Sequence, residues 1–561
     1  MTERGRAAWP LPRIQTWEGT HVSVHKLRMA GIMAALGAVA VLGTTTFANG
    51  PSFTDAGSAN TKTAGITLPD KLSPELQQVT WAQGSTALEN PSALTSWYGY
   101  YNDGPMIPAP GDVQAKGHNV EASKSEPDKN TYLVVKGQHG ADPKYDYGTH
   151  FLYQGHELGT TGGYITRINL DADAAHRVTK LAETEADGKT PVPVIDGSTW
   201  DPFAQRLLFS TEGGANGGIV QATLDYPSKV SNLWGVLGQG GFEGIQNDQY
   251  GNVYVVEDIG GAAGTVNTHA KQPNSFVYRL LPYDPTNLDA GGKLQVLSVQ
   301  SLEHAGAIVF NAGKADDDIL SKDTKDLHTY GHVFKTLWVT IHDTKTDGTT
   351  AFDANAAAKK AGGTPFKRPE NGQFKPGTGF KKFFFDETGD TTLASEAGAD
   401  YGGFGAIQEL WQDPKSDKGT LRLFYQSDKA HSGFDNVTFF DKTHVIFVQD
   451  MGDSFHTSIN ALDSAFLFDA LADYSKGDQP VKILAEGRDP SATIDSAIGA
   501  TSGNGFQNDG DNEITGMHES NGDPTAGGIL GAAIPKGLGH GWRLFYTHQH
   551  GDNVTSEVIP N

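Results

Sequence analysis

Two adjacent carboxylates, Glu257 and Asp258, end the apolar run Val253-Tyr254-Val255-Val256. A short run that is apolar on both faces reads as a strand buried between layers. Carboxylates at the end of such a strand need water, a cation or a basic partner. Glu243 stands just upstream, before a turn marked by Asp248 and Tyr250-Gly251-Asn252. The design recurs. The run 206–211 ends on Glu212, 444–448 ends on Gln449-Asp450, and 541–546 leads into Thr547-His548-Gln549-His550. Glu157 follows 149–153 through Gln154-Gly155-His156, Asp435 is another strand-end carboxylate, and Glu370 and Glu513 are expected in loops. Taken singly, each could be a solvated turn residue or half of a surface ion pair. Converging on one channel, they would repel by about 4 kcal/mol per close pair at an effective dielectric near ~20. Bound cations would make such a cluster stable. Hard oxygen ligands in that number suit Ca²⁺ or another hard ion better than zinc. Arg368, beside Glu370, supplies a positive charge that a phosphate-sized anion could use.

Turn, short apolar strand, then a metal-capable side chain describes a propeller whose strand ends deliver oxygen and imidazole ligands to one central site. Composition agrees. The chain has 561 residues with 69 Gly and 27 Pro. Long amphipathic helical periods are scarce, so many short strands with Gly-rich turns are expected. Strands are read at 131–135, 149–153, 163–168 and 275–280, and helix only in pieces such as 461–472. Long polar insertions at 262–274, 312–330, 343–380 and 500–540 read as loops or caps, and the irregular spacing excludes a WD40-type array. Residues 49–125, rich in Ser, Thr, Asn and Pro with one aromatic patch at 97–101, read as an irregular arm laid over a main domain at 126–561.

The net charge of −23, from 43 basic and 66 acidic residues, argues against nucleic acid or an anionic membrane as partner. The absence of cysteine removes disulfides, Fe–S clusters and thiol nucleophiles. No G-x-S-x-G elbow, Walker A loop or H-E-x-x-H motif is present. Lys26 and Arg28 precede an apolar run at 29–43, followed by Thr46-Phe47-Ala48. A basic flank, a short apolar core and small residues make a secretory signal over 1–48, with an atypical extension upstream. The run is short for a membrane span, so export without a lasting span is expected.

These motifs resemble those of the PhoX-type alkaline phosphatases, secreted calcium- and iron-dependent phosphomonoesterases with a six-bladed β-propeller. From about residue 145 onward the order is the same. Gln154-Gly155-His156-Glu157 resembles the family's Asn-His-Glu, and 199–212 its Gly-Thr-Trp segment leading to Thr-Cys-Glu-Glu. Phe242-Glu243-Gly244, Glu257-Asp258 and 276–279 resemble His-Glu, Gly-Asp-Asp and a following Tyr-Lys strand. Arg368-Pro369-Glu370 is the same Arg-Pro-Glu. Phe434-Asp435-Asn436, Gln449-Asp450, 513–516 and Gln549-His550 resemble Pro-Asp-Gly, Gln-Thr-Asp, Glu-Val-Thr-Gly and Gln-His-Pro-Gly. The chain departs where iron would bind. The family's cysteine falls on Thr211, its next Glu on Gly213 and its Asn on Gly155.

The resemblance implies an all-β, six-bladed propeller with long insertions. It implies several Ca²⁺ ions, with Fe³⁺ or another transition metal beside them, held by Glu157, Glu212, Glu243, Glu257, Asp258, Glu370, Asp435, Asp450, Glu513 and His550. Arg368 and Glu370 would carry catalysis on small phosphate esters in a monomeric periplasmic or secreted phosphatase. Two alternatives stay open: a non-catalytic calcium-stabilised scaffold that lost the iron, and a lactonase or esterase using a single Ca²⁺.

Overall fold

The computed structural model describes residues 51–62, 68–84, 86–99, 125–157, 162–266, 270–392, 398–487, 513–549 and 553–561. Every described residue lies in one compact unit, 42–561. The stretch 1–48 read as a secretory signal lies outside the described residues, as does His550.

This unit is mostly antiparallel β-sheet in five hydrogen-bonded sheets of five, four, nine, four and four strands, the nine-stranded one dividing into two four-stranded parts joined by a further strand. The first sheet runs Glu126–Val134, His150–Glu157, Gly163–Asn169, Val178–Ala182. The second runs Ser198–Asp201, Arg206–Phe209, Val220–Ala222, Val230–Asn232, and the third Phe242–Asn247, Val253–Glu257, Val277–Pro282, Gly292–Val299. The fourth comprises Gly372–Phe374, Lys382–Glu387, Ala406–Gln412 and Lys418–Gln426; the fifth Phe434–Phe439, His444–Gln449, Ser464–Asp469 and Val481–Ala485. In the sixth, Glu513–Ser520, Arg543–Gln549 and Val554–Pro560 are completed by Leu76–Ala82, which pairs with the C-terminal strand from Leu76↔Pro560 to Ala82↔Thr555. A long strand, Phe334–Asp343, pairs with the outer strands of both the third and fourth sheets and joins them.

The leading strand of each sheet lies against the leading strand of the next, and Glu513–Ser520 lies against Glu126–Val134, so the six close into a ring. Each gap between neighbouring sheets is filled by its own apolar core. Phe151, Ile165, Leu207 and Phe209 fill the first gap. Leu208, Ile245, Val255 and Leu294 fill the second, and Val256, Val277, Phe383 and Leu410 the third. Phe384, Phe424, Phe447 and Phe468 fill the fourth, and Ile446, Leu467, Tyr546 and Val558 the fifth. Leu152, Ile168, Tyr132 and Phe545 close the ring. Burial on both faces explains why the strands read as continuous apolar runs. Each such side chain contributes about 1.5–3 kcal/mol.

Several expectations are corrected. The stretch 461–472 holds the strand Ser464–Asp469, because Phe466 and Phe468 pack between two sheets; the helix lies upstream at Asp453–Ile459. The insertion 500–540 contains the leading strand of the sixth sheet, and 343–380 contains that of the fourth as well as the helix Ala354–Ala361. The arm is not irregular throughout, since Lys71–Leu72 and Leu76–Ala82 extend the fifth and sixth sheets.

Four leading strands carry a register shift near their starts, at 127/130, 242/245, 434/437 and 515/518. Such bulges twist a strand locally and re-aim its side chains. At the second of them Gly244 donates its N–H to the Glu370 carbonyl at 2.7 Å. A Cβ there would sit 2.7 Å from Asn371 Cα and 2.8 Å from the Glu370 oxygen. Gly244→Ala is therefore expected to destabilise the fold by about 1–3 kcal/mol, read from chemical denaturation. A variant as stable as the parent would refute this close approach.

Candidate metal centre

Antiparallel pairing places the start of each leading strand beside the end of its second strand. Glu126 pairs with Glu157, Phe434 with Gln449 and Glu513 with Gln549. The pairing extends one step beyond the ladder where the Asp258 and Asp450 amides donate to Gly241 and Gly433, 2.8 and 2.7 Å. One polar side chain from each side of these pairs thus reaches the same end of the ring. The resulting cleft, about 170 Å³, is lined by Glu126, Asp128, Glu157, Asp196, Glu212, Glu243, Asp258, Arg368, Glu370, Asp435, Asp450, Glu513 and Gln549. That is eleven carboxylates, one guanidinium and one amide.

Three trios of these carboxylates have oxygens within 4.8 Å of one another: Glu157, Asp196, Glu212; Glu212, Glu243, Asp258; and Glu243, Glu370, Asp435. Glu212 and Glu243 are each shared, so the trios form a row. Burial is the main force raising the Glu157, Asp196, Glu243, Glu370 and Glu513 carboxyls well above the ordinary range, with neighbouring carboxylates adding to it. Burial and Asp435 push Asp128 up to about 6. Glu157 Oε1 and Glu370 Oε2 are buried without a hydrogen-bond donor. Acceptor oxygens that are crowded, dehydrated and undonated are what a hard cation satisfies, so the residues fit one.

Positive charge and amide donors frame the row. Arg368 grips Asp258 through Nε at 2.8 Å and Nη2 at 2.7 Å, and Nη2 also reaches Glu370 Oε1 at 3.1 Å. Its backbone takes φ +58°, a conformation that bulky residues rarely adopt. Its carbonyl accepts from the Thr388 amide at 2.9 Å. Behind the row, buried Lys129 donates to Asn371 Oδ1 at 2.7 Å, and Asn371 Nδ2 donates to Glu243 and Asp435, both at 3.0 Å. Asn436 holds Asp435 on both oxygens, 2.8 and 2.7 Å, and Gln549 donates to Asp128 at 2.9 Å.

The cleft brings together Glu157, Glu212, Glu243, Asp258, Arg368, Glu370, Asp435, Asp450 and Glu513. It does not include Glu257. Successive strand residues point to opposite sides, so Glu257 turns inward beside Asp258. There it accepts from the Phe276 amide at 3.1 Å, the Tyr278 hydroxyl at 2.9 Å and Asn355 at 3.0 Å. Burial raises it to about 8. Glu513 opens a strand and is not in a loop. Glu126, Asp128 and Asp196 line the cleft without having been singled out from the sequence. Glu126 and Asp128 lie within the first leading strand, and Asp196 stands two residues before the second.

The three departures near the row have structural reasons. The Thr211 hydroxyl accepts from the Gly218 amide at 2.7 Å and donates to its carbonyl at 2.9 Å, so it ties a loop and faces no trio. A Cβ on Gly155 would lie 1.9 Å from Ile195 Cγ2, so an isoleucine fills that space. Gly213 packs on the backbone of Gly217, where a Cβ would approach the Gly217 nitrogen to 2.9 Å.

Closed antiparallel sheets that converge acidic side chains on one cleft define a β-protein whose carboxylate groups could bind metal ions. Residues 244–521 match the family model described as alkaline phosphatase PhoX, and the chain belongs to that family. No curated protein matches the chain. Among solved structures it is similar to a Synechocystis apocarotenoid oxygenase mutant at 9% identity, over 88% of this chain and 91% of that one. The TM-score is 0.27, too low a likeness to define the fold.

The raised carboxyls give a signed prediction. The folded, metal-stripped chain retains protons that the unfolded chain releases near its ordinary carboxyl values, about 4. Its stability is therefore fullest at acid pH and falls as pH rises from there through neutrality. Thermal unfolding in chelator should show Tm dropping between pH 5 and 8, while added Ca²⁺ stabilises more at each higher pH. A chelated protein whose Tm is flat over that range would contradict the shifts.

Proposed function

We propose that this chain is a metal-dependent phosphomonoesterase whose six meanders are the blades of a β-propeller and whose cleft is the active site. The observation that carries the reading is the row of three carboxylate trios sharing Glu212 and Glu243, with the Arg368 guanidinium beside it. Glu157, Asp196, Glu212, Glu243, Asp258, Glu370 and Asp435 hold several Ca²⁺ ions, with a second hard cation such as Fe³⁺ in an all-oxygen setting. Asp450, Glu513 and Asp128 shape the surrounding field. Glu257 has no part in it, because it does not line the cleft and its Oε2 accepts from Tyr278 and Asn355.

Bound cations supply Lewis-acid polarisation of the phosphoryl oxygens. The chain's own residues do the rest. Arg368 offsets negative charge on the transferred phosphoryl group, as arginines do in other phosphoryl transfers. Glu370 and Asp258 fix the guanidinium on two sides, so it need not reorganise during reaction. Lys129 and Asn371 set the rotamers of Glu243 and Asp435. The family is typical of exported enzymes, and the apolar run 29–43 is proposed as the export signal. The substrates are small phosphate esters outside the cytoplasm.

A second reading is favoured by Thr211. Its hydroxyl is committed to Gly218, so nothing at that position replaces a thiolate, and a calcium-stabilised scaffold without catalysis would have the same structure. Hydrolysis of p-nitrophenyl phosphate by the metal-loaded chain separates the two readings. Activity lost on chelation and restored by Ca²⁺, alone or with iron, supports the phosphatase; none from a folded, loaded chain supports the scaffold. Metal analysis showing a single ion per chain would favour a lactonase instead. Within the phosphatase reading, Arg368→Lys should lower kcat by about 10²-fold or more with metal content unchanged. Metal loss in step with activity would make Arg368 structural.

A further inference from the structure

A second cavity adjoins the acidic cleft, and the two share Glu212. It is larger, about 620 Å³ against 170 Å³, and of opposite character. Its walls are Pro191, Val192, Pro193 and Val194 on one side and Trp234 on another, with Asn216 and glycine backbone at the edge. Glu212, at the junction, is its one charged residue. We propose that this cavity receives the leaving group of the phosphate ester and selects flat, uncharged aromatic alcohols over small polar ones. The proposal rests on the phosphatase reading and names the substrate class of that site.

Chemistry divides the ester between the two spaces. Hydrolysis joins a water oxygen to phosphorus and breaks the bond from phosphorus to the alcohol oxygen, and the alcohol departs with a proton. The phosphoryl group belongs with Arg368 and the cation-binding carboxylates. The alcohol then lies beyond Glu212, where prolines, valines and an indole wait, with Thr190 and Asn216 as the uncharged polar side chains of the lining. Anionic leaving groups are repelled by the acidic rim, and a large flat apolar one gains most from a proline, valine and tryptophan wall.

The walls are built, not left over. Val192 is held as an extra strand position by Gly163, whose amide donates to its carbonyl at 2.7 Å. Trp234 opens the short helix Trp234–Leu237, and its indole lies on Gly218, where a Cβ would approach Cδ1 to 2.5 Å. Gly218 is the residue that Thr211 clamps by both its amide and its carbonyl. Thr211 is thus a positioning residue: it fixes the loop on which the indole rests.

The test compares two substrates on the metal-loaded full chain. Trp234→Ala should lower kcat/KM for 1-naphthyl phosphate about tenfold and leave that for glycerol 2-phosphate within about twofold. Trp234→Phe should retain most of the preference, and Val194→Phe, which fills the cavity, should abolish it in a folded protein. Equal loss on both substrates would overturn the proposal. Titration calorimetry with 2-naphthol in the presence of inorganic phosphate reads the pocket without turnover. Naphthol binding that needs Trp234 in a chain that hydrolyses nothing would sink the phosphatase reading and keep the pocket. No naphthol binding, with or without hydrolysis, would overturn the pocket itself.

Discussion

Repulsion among eleven carboxylates in one cleft is the constraint on which the rest of this structure depends. At an effective dielectric of about 20, each close pair costs about 4 kcal/mol, and the Arg368 guanidinium with the Lys129 and Lys271 ammonium groups are the cations set against eleven carboxylates among the described residues. A flexible scaffold would relieve such strain by letting the acids swing into water. Here they cannot swing. Most are anchored at or within three residues of a strand end in a ring whose gaps are packed with apolar side chains, so the backbone holding them moves only if a core opens. The cores in effect hold the repulsion in place, and protons or cations must neutralise it.

The same logic accounts for the local irregularities. A regular strand would send alternate residues to the two neighbouring cores and bring few of them to the ring's end. The bulges at the starts of four leading strands break that alternation where Asp128, Glu243 and Asp435 stand. Asn371 then bridges Glu243 and Asp435 from the fourth sheet, and Lys129 from the first sheet holds Asn371. Three sheets are thus tied through one amide, so the spacing of the row follows from hydrogen bonds as well as from packing. The fourth sheet shows the alternative. Its strand-end Glu387 accepts from the Lys367 amide and Gln408, both at 2.8 Å, and faces His328 at 3.4 Å, which together outweigh burial and keep it ionised outside the row.

Sequence alone carried the second strands well, because an apolar run followed by an acid is a local signal. Glu157, Glu212, Asp258 and Asp450 were legible for that reason. The leading strands were not. Glu126-Pro127-Asp128-Lys129 looks like loop, since its proline and charges are tolerated only because a bulge and the ring's interior receive them. Glu513 was named as a ligand candidate but placed in a loop, because its strand starts within a polar insertion. Glu257 misled in the other direction: adjacency to Asp258 suggested one shared role, whereas alternation along a strand gives adjacent residues opposite surroundings. The helix placed at 461–472 failed because a strand with Phe466 and Phe468 between two sheets can show the same apolar content as a short helix.

The departures from the family pattern form one connected change rather than scattered losses. Gly155 is matched by Ile195, which occupies the volume a longer side chain would need. Ile195 precedes Asp196, a member of the first trio, and follows the Pro191 to Val194 wall of the larger cavity. Thr211 precedes Glu212 and clamps Gly218 under Trp234, the facing wall. Thr211 and Gly213 flank Glu212 directly and Gly155 lies two residues before Glu157, and both Gly155, through Ile195, and Thr211, through Gly218, are coupled to an apolar surface beside the row. A site that exchanges a sulfur ligand for a hydroxyl bound to its own loop gives up coordination at that point and gains a fixed wall. On the phosphatase reading, the change would move binding energy from the metals toward the group that the ester releases.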